Sequence, residues 1–248
     1  AEIVPQGFVQ TFPEDGSGPL QLVSTWDGQT FGETTSPGET TTPEGPAHHE
    51  DNGGKGTGSG TEYADVWMEG NYAFIGHFAG DSRVDVVDVS DPTNPTLFTT
   101  WVAPQAGMRF QDIKVDGNFA YFASDSGQGM YIVELMYDTA NPGQLVGLQN
   151  AAYIGTSAGG LNNIHNISID NGLLFQSSTR DNRVPVFDVR DPTTPVLKGT
   201  LLAGGIVHDV TARDGRVYTS NINNGKTDIF DVSLDGNDNL VQTLVTNF

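Results

Sequence analysis

The 248-residue sequence predicts an all-β protein in which one four-stranded antiparallel sheet is repeated around an axis. Three observations carry that expectation: a composition suited to short strands, an internal period, and turn chemistry that recurs within each period. Apolar residues make up 36% of the chain and aromatics 9%, with 31 glycines and 13 prolines. Such a balance favours many short strands joined by tight turns over long helices.

Four copies of one pattern follow each other. The first, from Ala64, reads ADVWMEGNYAFIGHFAGDSRVDVVDVSDPTNPTLFTTW, the second begins at Gln111, the third at His165 and the fourth at His208. Each contains a short alternating run, a turn with glycine beside Asp, Glu or Asn, an aromatic-rich run, a run ending Asp-Val or Glu-Leu, and an apolar run after an Asp-Pro or Asn-Pro type turn. The equivalent positions Asp65, Asp112, Asn166 and Asp209 fall 47, 54 and 43 residues apart. Four strands joined by hairpins within such a period make one blade of a β-propeller. Repetition has a physical cause, since a lone four-stranded sheet cannot bury both apolar faces and a neighbour on each side can. Tyr72, Phe74, Phe119, Tyr121, Leu174, Phe175 and Tyr218 are expected to pack between blades.

Residues 1–63 depart from the pattern. Pro19–Trp26 resembles the last strand of a blade, as in Pro95–Trp101, and residues 27–62 read as a Gly/Thr/Pro-rich loop. Either this region completes an irregular fifth blade and closes the ring, or the chain is a piece of a larger propeller. The first alternative is the one adopted. The domain expectation is therefore 1–63 as an irregular strand plus loop, and 64–248 as repeats divided at 64–110, 111–164, 165–207 and 208–248.

The phrases VDVVDVSDPTNPTL, MYIVELMYDTANPGQLVG and VPVFDVRDPTTPVLKG resemble the LVIVD repeat, a propeller repeat of bacterial and archaeal surface proteins. The openings HNI and HDV, at His165 and His208, are similar to those of the choice-of-anchor B family of secreted proteins. The resemblance spans about residues 64 to 248. It implies a propeller fold and an extracellular or cell-surface setting, and implies no particular activity.

Charge narrows the partners. Thirty-one acidic against 11 basic residues give a formal charge of -20, which repels phosphate backbones and anionic lipid surfaces. Nucleic acid is not expected as a partner, and no apolar run is long enough for membrane insertion. The absence of cysteine excludes disulfides, thiolate metal sites and a cysteine nucleophile. The opening Ala1-Glu2-Ile3-Val4 reads as a mature product after signal-peptide removal. A secreted or cell-surface location is the expectation.

Residues that start the first strand of each blade converge at the channel mouth. Asp65, Asp112, Asn166, Asp209, His165 and His208 are thus the candidate metal ligands, offering oxygen and nitrogen donors to calcium or another divalent cation. Against this stands a structural role, in which an Asp or Asn at a strand start accepts hydrogen bonds from neighbouring backbone amides. Repetition of the Asp/Asn column favours pinning, whereas the two histidines occur in only two copies and are the better functional clue. His77, Arg180, Asn221 and, within His48-His49-Glu50-Asp51, His49 are candidate rim-binding residues. Asp88, Glu134, Asp188 and Asp231 are assigned to turns and blade contacts.

Several motifs fail on context. Gly155–Gly159 matches G-x-S-x-G but lies between two blades and lacks the strand-turn-helix that such a nucleophile needs. Asp235–Asn239 begins like a calcium loop and lacks its glycine and terminal glutamate. Asn166-Ile167-Ser168 fits a glycosylation acceptor but starts an inner strand. No nucleotide cofactor is expected. The functional expectation is an extracellular binding or structural module that takes up calcium and contacts protein, glycan or matrix. The alternatives are a metal-dependent hydrolase or lactonase-like enzyme at the channel mouth, and a self-associating subunit of an extracellular assembly.

Overall fold

The computed structural model describes residues 62–248, which form sixteen strands and one 3-10 turn. The strands are β1 (Tyr63–Glu69), β2 (Tyr72–His77), β3 (Arg83–Asp88), β4 (Thr96–Val102), β5 (Phe110–Asp116), β6 (Phe119–Ser124), β7 (Met130–Tyr137) and β8 (Leu145–Ile154), followed by β9 (Asn166–Asp170), β10 (Leu173–Ser177), β11 (Arg183–Asp188), β12 (Val196–Leu202), β13 (Val207–Arg213), β14 (Arg216–Asn221), β15 (Lys226–Leu234) and β16 (Leu240–Asn247). They pair only with sequence neighbours, giving four antiparallel meanders, β1–β4, β5–β8, β9–β12 and β13–β16. The first strands pack in series, β1 on β5, β5 on β9 and β9 on β13, so the blades fan around a common axis. The proposed fifth blade, with Pro19–Trp26, lies outside the described residues.

Local chemistry explains the hairpins that start each blade. Gly70-Asn71 and Gly117-Asn118 join strands whose closing pairs are Glu69 with Tyr72 and Asp116 with Phe119. In these two turns only the glycine has positive φ, +55° and +57°, as a type II′ turn asks of its first central residue. Asn171-Gly172 and Asp214-Gly215 both have positive φ at each position, the type I′ pattern. Asx turns recur after the third strand, where Asp91 and Asp191 accept from Thr93 and Thr193 amides, each at 3.0 Å. Asp88 and Asp188 accept from the amides of Ser90 and Arg190, confirming their assignment to turns.

Three apolar clusters fill the three gaps between blades. Phe74, Val84, Val86 and Trp101 of the first blade meet Phe110, Ile113, Phe122 and Tyr131 of the second. Trp101 is the hub, with ring centroids 5.4, 5.0 and 5.4 Å from Phe110, Phe122 and Tyr131, and its Nε1 donates to Asn150 Oδ1 at 2.7 Å. Tyr121 and Ile132 meet Ile167, Leu174 and Phe187 in the next gap, and Phe175, Val184 and Val186 meet Val210, Val217 and Phe230 in the last. Burying each such side chain contributes about 1.5–3 kcal/mol.

Tyr218 corrects the sequence expectation. It occupies the position of Phe74, Tyr121 and Phe175 but is 38% exposed. Its face of the fourth blade points away from the third, and no described blade covers it. Its exposed neighbours there, Arg216 and Ser220, are polar.

Blade spacing leaves no room at Gly76, where a Cβ would stand 2.2 Å from the Phe110 carbonyl oxygen. Gly76→Ala is expected to cost about 1–3 kcal/mol through overpacking, measured by denaturant unfolding. Gly236→Ala, with open space around its Cβ position, should change stability by less than about 0.5 kcal/mol.

Candidate functional site

The first strand of a blade starts with a kink. Register shifts separate Tyr63 from Val66, Phe110 from Asp112 and Val207 from Asp209. The residues caught in this irregularity are Ala64 with Asp65 in the first blade, Gln111 in the second and His208 in the fourth, and His165 holds the repeat position of Gln111 and His208 immediately before β9. A bulge re-aims a side chain that the ladder would otherwise direct at a neighbouring sheet. His165 and His208 meet in consequence, with ring centroids 4.3 Å apart and planes at 67°.

The Asp/Asn column has a different task. Asp65 Oδ2 accepts from the Ile113 amide at 2.8 Å, Asp112 Oδ2 from the Ile167 amide at 2.6 Å, and Asn166 Oδ1 from the Val210 amide at 2.9 Å. Each blade therefore offers an acceptor to an amide in the first strand of the next. Asn166 Nδ2 also donates to Asp112 Oδ2 at 3.1 Å, and Lys114 Nζ pairs with Asp112 Oδ1. Asp65, Asp112 and Asn166, expected as ligands, each commit one oxygen to these staples. Among the described residues no group of three His, Asp or Glu side chains is arranged to hold a metal ion.

Asp209 is the exception in its column. No described blade follows it, and its Oδ2 instead accepts from His208 Nδ1 at 3.0 Å. Asp125, in the β6–β7 loop, does the same for His165 Nδ1 at 3.2 Å. The hydrogen bond that His165 donates to Asp125 raises the His165 pKa, against burial, with the Asp125, Asp209 and Asp112 charges adding to the rise. Asp125 Oδ1 and Gln111 Oε1 are buried without a hydrogen-bond partner among the described residues.

The rim is smaller than the sequence suggests. His77 is fully buried, with Nδ1 3.0 Å from Asp81 Oδ2 and Nε2 2.8 Å from Asp85 Oδ2. Burial pushes the Asp85 carboxyl up, but hydrogen bonds from His77 and Thr100 outweigh it and leave the pKa below the ordinary value. Asn221 holds the matching position in the fourth blade and is likewise buried, donating to Asp228 Oδ2 at 2.9 Å. Both residues are therefore interior, and a ligand at the rim does not reach them. Arg180 is exposed on the β10–β11 loop as expected, and His49 lies outside the described residues.

The rejected motifs have the predicted surroundings. Thr156–Ala158 is a single 3-10 turn between blades, ended by Gly159 at φ +88°. Asp235 Oδ1 accepts from the Asn237 and Asn239 amides, closing the β15–β16 hairpin.

The LVIVD repeat model matches residues 62–101 and 109–146, the first two blades. The described chain is a β-propeller whose first two blades carry LVIVD repeats. No curated protein matches the sequence. Among solved structures, the LVIVD propeller is similar to the β-propeller domain of Cps50 (Swd1) from Myceliophteria thermophila, at 8% identity and a TM-score of 0.55, covering 69% of this chain and 51% of that one. It is similar to a hypothetical selenium-binding protein from Sulfolobus tokodaii at 14% identity and 0.52, covering 77% and 56%. A candidate 6-phosphogluconolactonase from Bacteroides fragilis matches at 18% and 0.54, covering 77% and 55%. At these identities the likeness is one of fold, and the LVIVD propeller spans about half the length of each.

Staple loss has a measurable cost. Asp112→Ala strands the buried Ile167 amide and should cost about 1–3 kcal/mol, whereas Asp112→Asn retains an acceptor and should cost less. Burial raises the Asp112 pKa to about 6, against the pull of Lys114. The folded state then holds this proton more tightly than the unfolded chain does, so stability falls as pH rises from about 4 towards 6. Urea midpoints across that range should show this slope in the native protein and lose it in Asp112→Asn.

Proposed function

We propose that the protein is a non-catalytic binding or structural module of the cell exterior, whose contact surface is the channel mouth and the exposed loops around it. The observation that carries this reading is the commitment of Asp65, Asp112 and Asn166 to staples between blades. A hydrolase site needs a carboxylate or imidazole poised to move a proton, within hydrogen-bond reach of a water or substrate. Here Asp112 is tied to a backbone amide, and Asp209 and Asp125 are engaged by Nδ1 of His208 and of His165. Exposed Arg180 and the acidic surface suit a polar partner such as protein, glycan or matrix. Calcium uptake, on this reading, is a property of exposed carboxylates and not of the staple column.

Protease treatment of intact producing cells should digest the protein while sparing cytoplasmic markers, and lactone substrates should show no turnover. Arg180→Glu should weaken adhesion of the purified protein to cell-envelope material with no change in melting temperature. Lactone hydrolysis that disappears in His165→Ala, or full protection from external protease, would overturn the reading.

A further inference from the structure

Two imidazoles from adjacent blades lie side by side in the LVIVD propeller, and each has one ring nitrogen already engaged. A carboxylate oxygen accepts, so Asp125 and Asp209 fix the proton on Nδ1 of His165 and of His208. Neutral imidazole then carries its lone pair on Nε2. Neither Nε2 has a hydrogen-bond partner among the described residues. We infer that His165 Nε2 and His208 Nε2 together bind one divalent transition-metal ion of the nickel, copper or zinc class, with solvent completing its coordination.

Four observations support the site. A carboxylate behind each imidazole is the outer-shell arrangement that orients histidine ligands and raises their basicity. With metal–nitrogen bonds of about 2.0–2.1 Å, two coordinated rings stand about 4.5 Å apart between centroids at a right-angled metal and about 5.2 Å apart at a tetrahedral one, so the 4.3 Å seen here reaches either by an outward turn of one ring. His208 is 39% exposed and has room for the small rotation required, while His165 at 17% is the anchored member. The departure of both residues from the repeat is the fourth, because Ala64 and Gln111 in the same column offer no imidazole.

Chemistry selects the ion. Imidazole is a borderline donor that favours nickel, copper and zinc over calcium and magnesium, which prefer oxygen. One oxygen of each nearby carboxylate, Asp125 Oδ2 and Asp209 Oδ2, is occupied in holding a ring. This site stands apart from the binding-module reading, which holds with or without a metal. It narrows the ligand set expected from the sequence, Asp65, Asp112, Asn166, Asp209, His165 and His208, to the two histidines.

Protons compete with the metal. The groups facing His165 are Asp125, Asp209 and Asp112, with His208 against its ring, and the Asp125 hydrogen bond favours the protonated form. Metal binding should therefore weaken as pH falls through the imidazole range.

The test is calorimetric titration of the full chain with Ni²⁺ and Zn²⁺, in a His48→Ala/His49→Ala background that removes the other adjacent histidines. One equivalent should bind, Ca²⁺ should not displace it, and histidine ¹⁵N resonances should show coordination through Nε2 on two rings. His208→Ala and His165→Ala should each weaken binding at least tenfold. Asp125→Asn should weaken it about 10–100-fold and move the pH midpoint of binding. His208 is partly exposed, so its variant should retain the native melting temperature and decides the matter even if His165→Ala misfolds. Absence of Ni²⁺ and Zn²⁺ binding by folded protein, or binding unchanged in His208→Ala, would overturn the inference.

Discussion

Everything at the axis depends on a single kind of hydrogen bond, the acceptor that each blade extends to an amide of the next. Asp65 to Ile113, Asp112 to Ile167 and Asn166 to Val210 are successive instances of it. Apolar packing would hold two sheets face to face over a range of sliding positions, whereas a directional bond between first strands selects one of them. The bond also satisfies a strand amide that lies close to a bulge, where the ladder is interrupted. Fixing the first strands in this way sets where the bulged residues stand, and so brings His165 and His208 within contact of each other.

Between the blades the work passes to shape. The gap around Trp101 is filled by aromatic rings from two sheets, and Gly76 is needed there because the Phe110 carbonyl leaves no space for a side chain. The second and third gaps rely more on aliphatic residues such as Ile132, Ile167, Val186 and Val210. One architecture is thus maintained by different packing solutions, which explains why the repeat is recognised by its turns and strand endings more readily than by its core.

Strand number, meander order, hairpin turns and the division into blades were all legible, because each is written in local signals. Asn171-Gly172 and Asp214-Gly215 declare their turn type within two residues, and the alternation around Phe74 or Phe175 declares a sheet face. Pinning by Asp65, Asp112 and Asn166 was also readable, from the regularity of the column. Asp125 was not, because its partner His165 is 40 residues away in the next blade and nothing in the loop sequence marks the pairing. His77 and Asn221 were misplaced on the rim for a related reason. Their partners Asp85 and Asp228 break the apolar run of the third strand at one repeat position, a signal of a buried polar pair that was there to be read. Tyr218 matched its column in residue type, but only the presence or absence of a following sheet decides whether such a side chain is covered.

The hydrophilic trailing side of the fourth blade bears on how an array like this can lengthen. Duplicating a middle unit would set one greasy side against another and extend the stack at once. Joining the same unit beyond Arg216, Tyr218 and Ser220 would press apolar side chains onto a wetted layer, with guanidinium and hydroxyl groups losing water for nothing in return. Among the described blades, then, apolar stacking carries on from the trailing faces of the first three, and any sheet seated on the fourth has to meet Arg216, Tyr218 and Ser220 with polar groups of its own.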